Sequence, residues 1–333
     1  MDEAWHGEIS DRDPALYGII DAAGHAHGKS IKSYFIMMAV RFMELRQLVK
    51  GTGSIYLHCG PTASLYLKLL IDAVFGRNHF RNELIWHYGQ RTLFMRRQFN
   101  RKHDVILFYA WSNQAILNKV SLPWGKEEFL AHRHDVKYDE SGNASIWSDA
   151  GETGKRYRRS ADEVMAEGKP IDSVWNIPIL SSAAKERTGY PTQKPLALLE
   201  RIIHASSNAG DVVLDPFCGC ATACIVSAKH GRQWVGIDIS SKAFDLVKTR
   251  MRNELGMFAT CLHRTDLLQR TDLSIVLNYR THKHTLFGRQ EGICTGCLHS
   301  SSGTLPLTIL CPKPKAEPIT WITCNCSVGP VIR

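Results

Sequence analysis

Residues 210–238 read GDVVLDPFCGCATACIVSAKHGRQWVGID, and the fold is decided there. Asp211 to Asp215 is a short β-branched apolar run that predicts a buried strand. Ala221 to Lys229 predicts a helix of small residues, and Gln233 to Asp238 a second strand. Two strands joined through a helix run parallel with a right-handed crossover, so this is a βαβ unit of an α/β sheet. In such sheets ligands sit beyond the carboxyl ends of the strands, where helix N-termini offer unpaired N–H groups. Asp215-Pro216-Phe217-Cys218-Gly219 falls at one such end. Gly219 lets the backbone approach a ligand closely, and Asp238 closes the next strand where it can accept hydrogen bonds from ribose hydroxyls. A nucleoside ligand fits this pattern. A strand-end turn with a structural acid fits it as well, because the full G-x-G-x-x-G spacing is absent.

Working outward, Pro195 opens a helix with Leu198, Leu199, Ile202 and Ile203 on its apolar face, and Gly210 follows its end. Further upstream the spacing predicts a helix over 30–49, a strand over Ser54–His58, a helix over Pro61–Phe75 closed by Gly76, and a strand over Val105–Tyr109. Residues 112–180 lose periodicity and become rich in Trp, Lys, Arg and Ser, the texture of an inserted, surface-working region. At 333 residues and 44% hydrophobic, the chain is long enough for one large core and an appended module. A net charge of +9 favours a polyanionic partner, whether DNA, RNA or an anionic membrane surface. No apolar run reaches the roughly 18 to 20 residues of a membrane span, and Met1-Asp2-Glu3 lacks a signal peptide's basic start, so a cytoplasmic protein without membrane contact is expected. The ten cysteines are then expected to be thiols or metal ligands rather than disulfides.

Three segments, in this order, carry a resemblance: Gly189-Tyr190-Pro191-Thr192-Gln193-Lys194-Pro195, Gly210 to Gly219, and Val235-Gly236-Ile237-Asp238. Together they resemble the β-class, circularly ordered DNA methyltransferases that act on adenine N6 or cytosine N4, over about residues 1–270. The resemblance implies an α/β fold with a Rossmann-like methyltransferase sheet and helices on both faces. It also implies S-adenosylmethionine as cofactor, double-stranded DNA as substrate, and a cognate restriction endonuclease as partner. Thr192, Lys194, Asp215, Phe217, Gly219 and Asp238 are the cofactor-side residues so implied. Ala221 stands where many relatives have glycine. The methyltransferase domain is expected over 1–272, with 112–180 as its target-recognition insert. Arg96, Arg97, Arg101 and Lys102, with Lys155, Arg156, Arg158 and Arg159, are candidate phosphate contacts against the alternative of ordinary solvated charge. RNA methylation, which uses related folds, stays open on charge alone.

The stretch GSIYLHCGPTASLYLKLLIDAVFGRNHFRNELIW, residues 53–86, resembles the strand, helix and loop that follow the family's catalytic motif. Gly60 takes a place where aspartate is expected, and Leu65 one where a polar residue is expected. His58 reads first as a strand-end histidine with a backbone partner, ahead of a catalytic group. His103 and Asp104 resemble a family strand near the target-base pocket, and a buried packing pair is the competing reading.

Methyl transfer to an exocyclic amine needs acceptors that hold the nitrogen in line with the sulfonium carbon while positive charge develops on it. The family supplies them with D-P-P-Y or S-P-P-Y at a strand end, and this chain contains neither. No catalytic residue is therefore assigned. Family order puts the motif upstream of Met1, so the chain reads as truncated, its catalytic-motif strand missing and its sheet broken, with an inactive binding remnant as the alternative function. Asp13-Pro14-Ala15-Leu16-Tyr17 is rejected as a substitute because it sits in a polar, turn-like stretch. In the tail, residues 273–333, Cys294-x-x-Cys297 is half of a zinc site. Codons can be chosen so that the shifted frame of the last 31 residues reads as an HNH-nuclease core. A reading frame displaced after about residue 298 is thus expected, with zinc only in an intact tail.

Overall fold

Helices α1 (Asp2–Arg12), α2 (Pro14–His27) and α3 (Lys29–Leu48) open the chain in the computed structural model, which describes residues 2–89, 94–131, 133–149, 155–256, 261–264, 308–311 and 319–326. Asp13 caps α2 by accepting the Leu16 N–H at 2.9 Å, and Pro14 takes the first helical position, where a missing N–H costs nothing. This corrects the turn-like reading of residues 13–17: Asp-Pro before the apolar Leu16 and Ile20 starts a helix. The stretch still does not end a strand.

β1 (Val49–Cys59), α4 (Pro61–Phe75), β2 (Phe80–His87) and β3 (His103–Ala110) follow. α4 has the expected bounds, with Pro61 at its start and Gly76, at φ 91°, ending it. β2 was not foreseen, because the exposed Arg81, Asn82 and Glu83 hide any alternation in its first half. The chain continues through β4 (Ser121–Leu122), α5 (Lys126–Ala131), β5 (Lys137–Tyr138), β6 (Ala144–Asp149), β7 (Arg156–Ser160), α6 (Ala161–Glu167), β8 (Lys169–Pro170) and β9 (Val174–Asn176). It then forms α7 (Leu196–Ser206), β10 (Val212–Asp215), α8 (Thr222–Lys229), β11 (Gln233–Asp238), α9 (Ser241–Leu255), β12 (Leu262–Arg264), β13 (Thr308–Cys311) and β14 (Ile319–Cys326).

The main sheet runs β12-β13-β11-β10-β14-β1-β3-β2. β11, β10, β14 and β1 are mutually parallel, while β13 and β3 run antiparallel to them and β12 and β2 pair antiparallel with β13 and β3, so the sheet is mixed. On one face Ile55, Leu57, Leu107 and Leu214 pack against Phe35 and Phe42 of α3 and Leu67 and Ile71 of α4. On the other, Trp234 packs with Ile225 of α8 and Val247 and Met251 of α9, and Tyr56 meets Ser206 of α7 in a 2.6 Å hydrogen bond. Helices therefore cover both faces of an α/β, Rossmann-like sheet.

The expected break in the sheet is corrected. β14 lies between β10 and β1, pairing Leu214 with Ile322 and Ile55 with Ile322, so the strands on either side are joined through it. Ile319-Thr320-Trp321-Ile322-Thr323 is a β-branched and aromatic run suited to a central strand, which the Pro- and Lys-rich text before it obscured. β14 carries no D-P-P-Y sequence.

Residues 118–175 form a separate compact unit. Its three-stranded antiparallel sheet, β5-β6-β7, and the β4-β8 pair enclose a small core of Phe129, Ile146 and Ala161 beside Trp124.

Candidate functional site

β10 and β11 end side by side, with Asp215 paired to Gly236, and the turn after β10 folds across both ends. Two acids stitch that turn. Asp215 accepts the Phe217 N–H at 3.2 Å, while Asp238 accepts the Gly219 and Ser240 N–H groups, one on each carboxylate oxygen, at 2.8 Å. The Cys218 N–H adds a 2.9 Å bond to the Ile237 carbonyl. Gly219 sits at φ 49°, and a Cβ there would fall 2.8 Å from the Tyr190 ring, so the loop before α7 and this turn approach each other only because position 219 is bare.

Ala221 is the one non-glycine residue with positive φ among the described residues, at 55°, and it starts α8. The left-handed conformation costs an alanine about 1 kcal/mol. Ala221→Gly relieves that but deletes a buried methyl worth about 0.8 kcal/mol, so its urea midpoint should stay near the parent's. Ala221→Val, β-branched in the same conformation, is expected to lose about 2 kcal/mol or more in the same titration.

The loop before α7 is held by Gln193, whose side-chain oxygen accepts the Thr188 N–H and hydroxyl at 2.7 Å and whose amide donates to the Glu186 carbonyl at 2.6 Å. Thr192 and Lys194 flank this anchor, and Lys194 Nζ donates to the Thr192 carbonyl at 3.3 Å and stands 5.9 Å from the Trp86 ring centre. Thr192, Lys194, Asp215, Phe217, Gly219 and Asp238 all line one cleft, together with Tyr56, His58 and Tyr190. It encloses about 830 Å³ including the open space at its mouth. Burial, then the charge of Asp238, holds the Tyr190 hydroxyl above its ordinary value. Burial pushes the Cys218 and Cys224 thiols well up, which keeps them protonated and inert.

His58 has a different partner from the expected backbone group: its Nε2 lies 3.1 Å from Asp104 Oδ2 across the β1–β3 pairing. Sequence could not reveal this, because the partner depends on strand register. Burial works to raise the Asp104 carboxyl, but the hydrogen bond and charge of His58, with Lys194 and Arg101, outweigh it and hold the group below its ordinary value near 3.8. A depressed carboxylate stabilises the fold at pH values above its unfolded-state value, and that contribution is lost as pH falls through the folded-state value. Asp104→Asn should therefore flatten the fall of thermal stability below about pH 4. An unchanged acid slope would contradict the pairing.

The candidate phosphate contacts divide. Arg96, Arg97 and Arg101 are exposed, and Phe94 and Phe99, which the sequence reading passed over, stand 93% and 99% exposed among them. Lys102 differs: its Nζ is buried, so it does not belong to that surface. In the insert, Lys155 and Arg156 are exposed. Arg158 donates to the Ser145 carbonyl at 2.9 Å and covers the Trp147 ring, while Arg159 is ion-paired with Glu167 and Glu163. Arg159 is thus held by carboxylates rather than presented to a phosphate. Cys294 and Cys297 lie outside the described residues, and among the described residues no cluster of three or more His, Cys, Asp or Glu side chains is arranged to hold a metal.

A cleft over the parallel ends of β10 and β11, with an acid closing each strand, is the place where open α/β sheets take nucleosides and nucleotides. Residues 17–249 match the profile of the DNA methylase family of N6-adenine and N4-cytosine enzymes, and the chain belongs to that family. The type II methyltransferase M.HpaI of Haemophilus parainfluenzae is 28% identical over 215 residues, 65% of this chain and 58% of its own length. The DNA adenine methyltransferase YhdJ of Escherichia coli K12 is 27% identical over 206 residues, 60% of each chain. The chain thus spans about three fifths of the length of these relatives. The crystal structure of M1.HpyAVI with SAM is 19% identical and covers 64% of this chain and 81% of that one, at a TM-score of 0.40.

Proposed function

We propose that the protein is a site-specific DNA methyltransferase that binds S-adenosylmethionine in the cleft over β10 and β11 and acts on an exocyclic amine, adenine N6 or cytosine N4. The observation that carries this is the convergence of Thr192, Lys194, Asp215, Phe217, Gly219 and Asp238 on one cleft. When bound there, S-adenosylmethionine supplies an electrophilic methyl group on a sulfonium. Asp238 keeps acceptor capacity for ribose hydroxyls beyond the two N–H groups it already takes, Phe217 offers a ring for stacking, and Asp215 takes the amino-acid end. Thr192 and Lys194 close the methionine side from the Gln193-anchored loop.

Double-stranded DNA is the proposed substrate, gripped by Arg96, Arg97 and Arg101 with Phe94 and Phe99 beside them. The unit over 118–175 is the proposed target-recognition module. The side of β6 and β7 facing away from Ile146 carries Trp147, Arg158 and Arg156, a ring beside guanidinium groups. Trp147→Ala should weaken duplex binding by about 1 kcal/mol, roughly fivefold, as read by fluorescence anisotropy. No described helix is long and apolar enough to cross a membrane. A cytoplasmic location and a cognate restriction endonuclease accord with the type II relatives.

A second reading, binding without transfer, is favoured by the absence of D-P-P-Y and S-P-P-Y from the sequence. Transfer of tritiated methyl from S-adenosylmethionine to duplex DNA, single-stranded DNA and RNA separates the two. Label in duplex DNA is expected for the enzyme. Cofactor binding without label selects the binder, and label in RNA alone overturns DNA as substrate.

A further inference from the structure

The connection from β2 to β3 carries two aromatic side chains that the fold does not use. Phe94 and Phe99 are 93% and 99% exposed, so neither ring buries surface against the core. Single exposed apolar residues are ordinary, but Met95, 42% exposed, adds a third within six residues. Residues 94–102 read FMRRQFNRK, with four cations and no acid. The backbone bends through 96–98, between the rings, and Arg96, Arg97 and Arg101 are exposed with them.

The base of this connection is fixed. The Tyr88 N–H donates to the Lys102 carbonyl at 3.0 Å, continuing the His87–His103 pairing, and the Tyr88 hydroxyl donates to the His103 carbonyl at 3.3 Å. β3 begins beside the end of β1, Val105 against Cys59, so the connection leaves the sheet at the carboxyl edge of the parallel strands. The cleft over β10 and β11 opens at that same edge. Arg101 donates to Thr62 Oγ1, at the start of α4, at 3.4 Å. Asp104 holds His58, which lines the cleft. Phe99 precedes Asp104 by five residues, a length of chain that spans at most about 18 Å.

Exposed rings among cations suit a nucleic acid or an anionic lipid surface. Position decides between them, because the rings share an edge with the cleft of a chain that belongs to the DNA methylase family. We propose that Phe94 and Phe99 form a wedge that enters the base stack of duplex DNA, with Arg96, Arg97 and Arg101 on the flanking phosphates. The proposal rests on the reading of duplex DNA as substrate. Apolar wedges part a base step by filling the space between bases, and an aromatic ring stacks on whichever base it meets. The inserted ring occupies the gap left by a base that turns out towards the cleft. The guanidinium groups position the backbone without entering the stack.

The test is fluorescence anisotropy of the full chain with two labelled duplexes, identical except that one contains a single abasic site, where the stack is already open. The parent is expected to bind the abasic duplex about tenfold tighter. Phe94→Ala/Phe99→Ala changes exposed positions, so it is expected to fold as the parent does and to bind both duplexes alike. Arg96→Ala/Arg97→Ala should weaken both duplexes equally, keep the preference, and lower the slope of log affinity against log salt by about 2. Equal affinity of the parent for the two duplexes, or an undiminished preference in the phenylalanine variant, overturns the wedge and leaves DNA binding in place. No binding of the parent to either duplex overturns DNA as substrate and the wedge with it. Phosphatidylserine-containing vesicles complete the test: binding to them that falls in the phenylalanine variant, with the duplex preference unchanged, assigns the rings to a lipid surface and overturns the proposal.

Discussion

Replacing Asp238 with alanine is expected to weaken S-adenosylmethionine binding by about 10- to 150-fold. Each hydrogen bond to a charged acceptor is worth about 1.5 to 3 kcal/mol, and this carboxylate holds the Gly219 and Ser240 N–H groups in addition to any ribose hydroxyl. The loss has two origins. One is the missing acceptor for the ligand; the other is a turn no longer pinned against the end of β11, which lets Gly219 leave its contact with the Tyr190 ring. Asp238→Asn separates them: one amide oxygen can still take a backbone N–H, so its thermal stability should lie between parent and alanine variant. Equilibrium binding and thermal unfolding, measured on the same preparations, report the two effects independently. Parent-like affinity in Asp238→Ala would remove the acid from the ligand site.

Ending the chain before Ile319 is expected to abolish cooperative unfolding. β14 stands between β10 and β1, so its removal leaves two buried strands each with an unpaired edge. A buried N–H or C=O without a partner costs about 1 to 3 kcal/mol, and a handful of them exceeds the roughly 5 to 15 kcal/mol margin of a whole domain. Calorimetry of the shortened protein should show no sharp transition, and size-exclusion chromatography should show association through the open edges. A single sharp transition within a few degrees of the parent's would mean that the sheet does not depend on residues 319–326.

Much of the fold was legible because local chemistry sufficed. Pro61 and Gly76 mark both ends of α4, and the βαβ unit over 212–238 declared itself through unbroken apolar runs and a small-residue helix. The six cleft residues were named from motif resemblance, and folding brings them together because their segments end at adjacent strand tips or on the loop packed over them.

What stayed hidden depends on partners distant in sequence. β14 qualifies as a central strand only beside β1 and β10, which precede it by about 270 and 110 residues. The partner of His58 is set by the register of β1 on β3, and the ring that makes position 219 glycine comes from another loop. Arg250 sits in a helix whose charged composition reads as a solvated surface, yet the guanidinium is buried beneath the turn it braces.

The most direct test of the account is isothermal titration of the full chain with S-adenosylmethionine, run beside a nicotinamide dinucleotide as the rival nucleotide of similar α/β clefts. Saturable one-to-one heat with S-adenosylmethionine, absent with the dinucleotide and strongly reduced in Phe217→Ala, is the predicted result. No heat with S-adenosylmethionine, or heat indifferent to the Phe217 substitution, would contradict it.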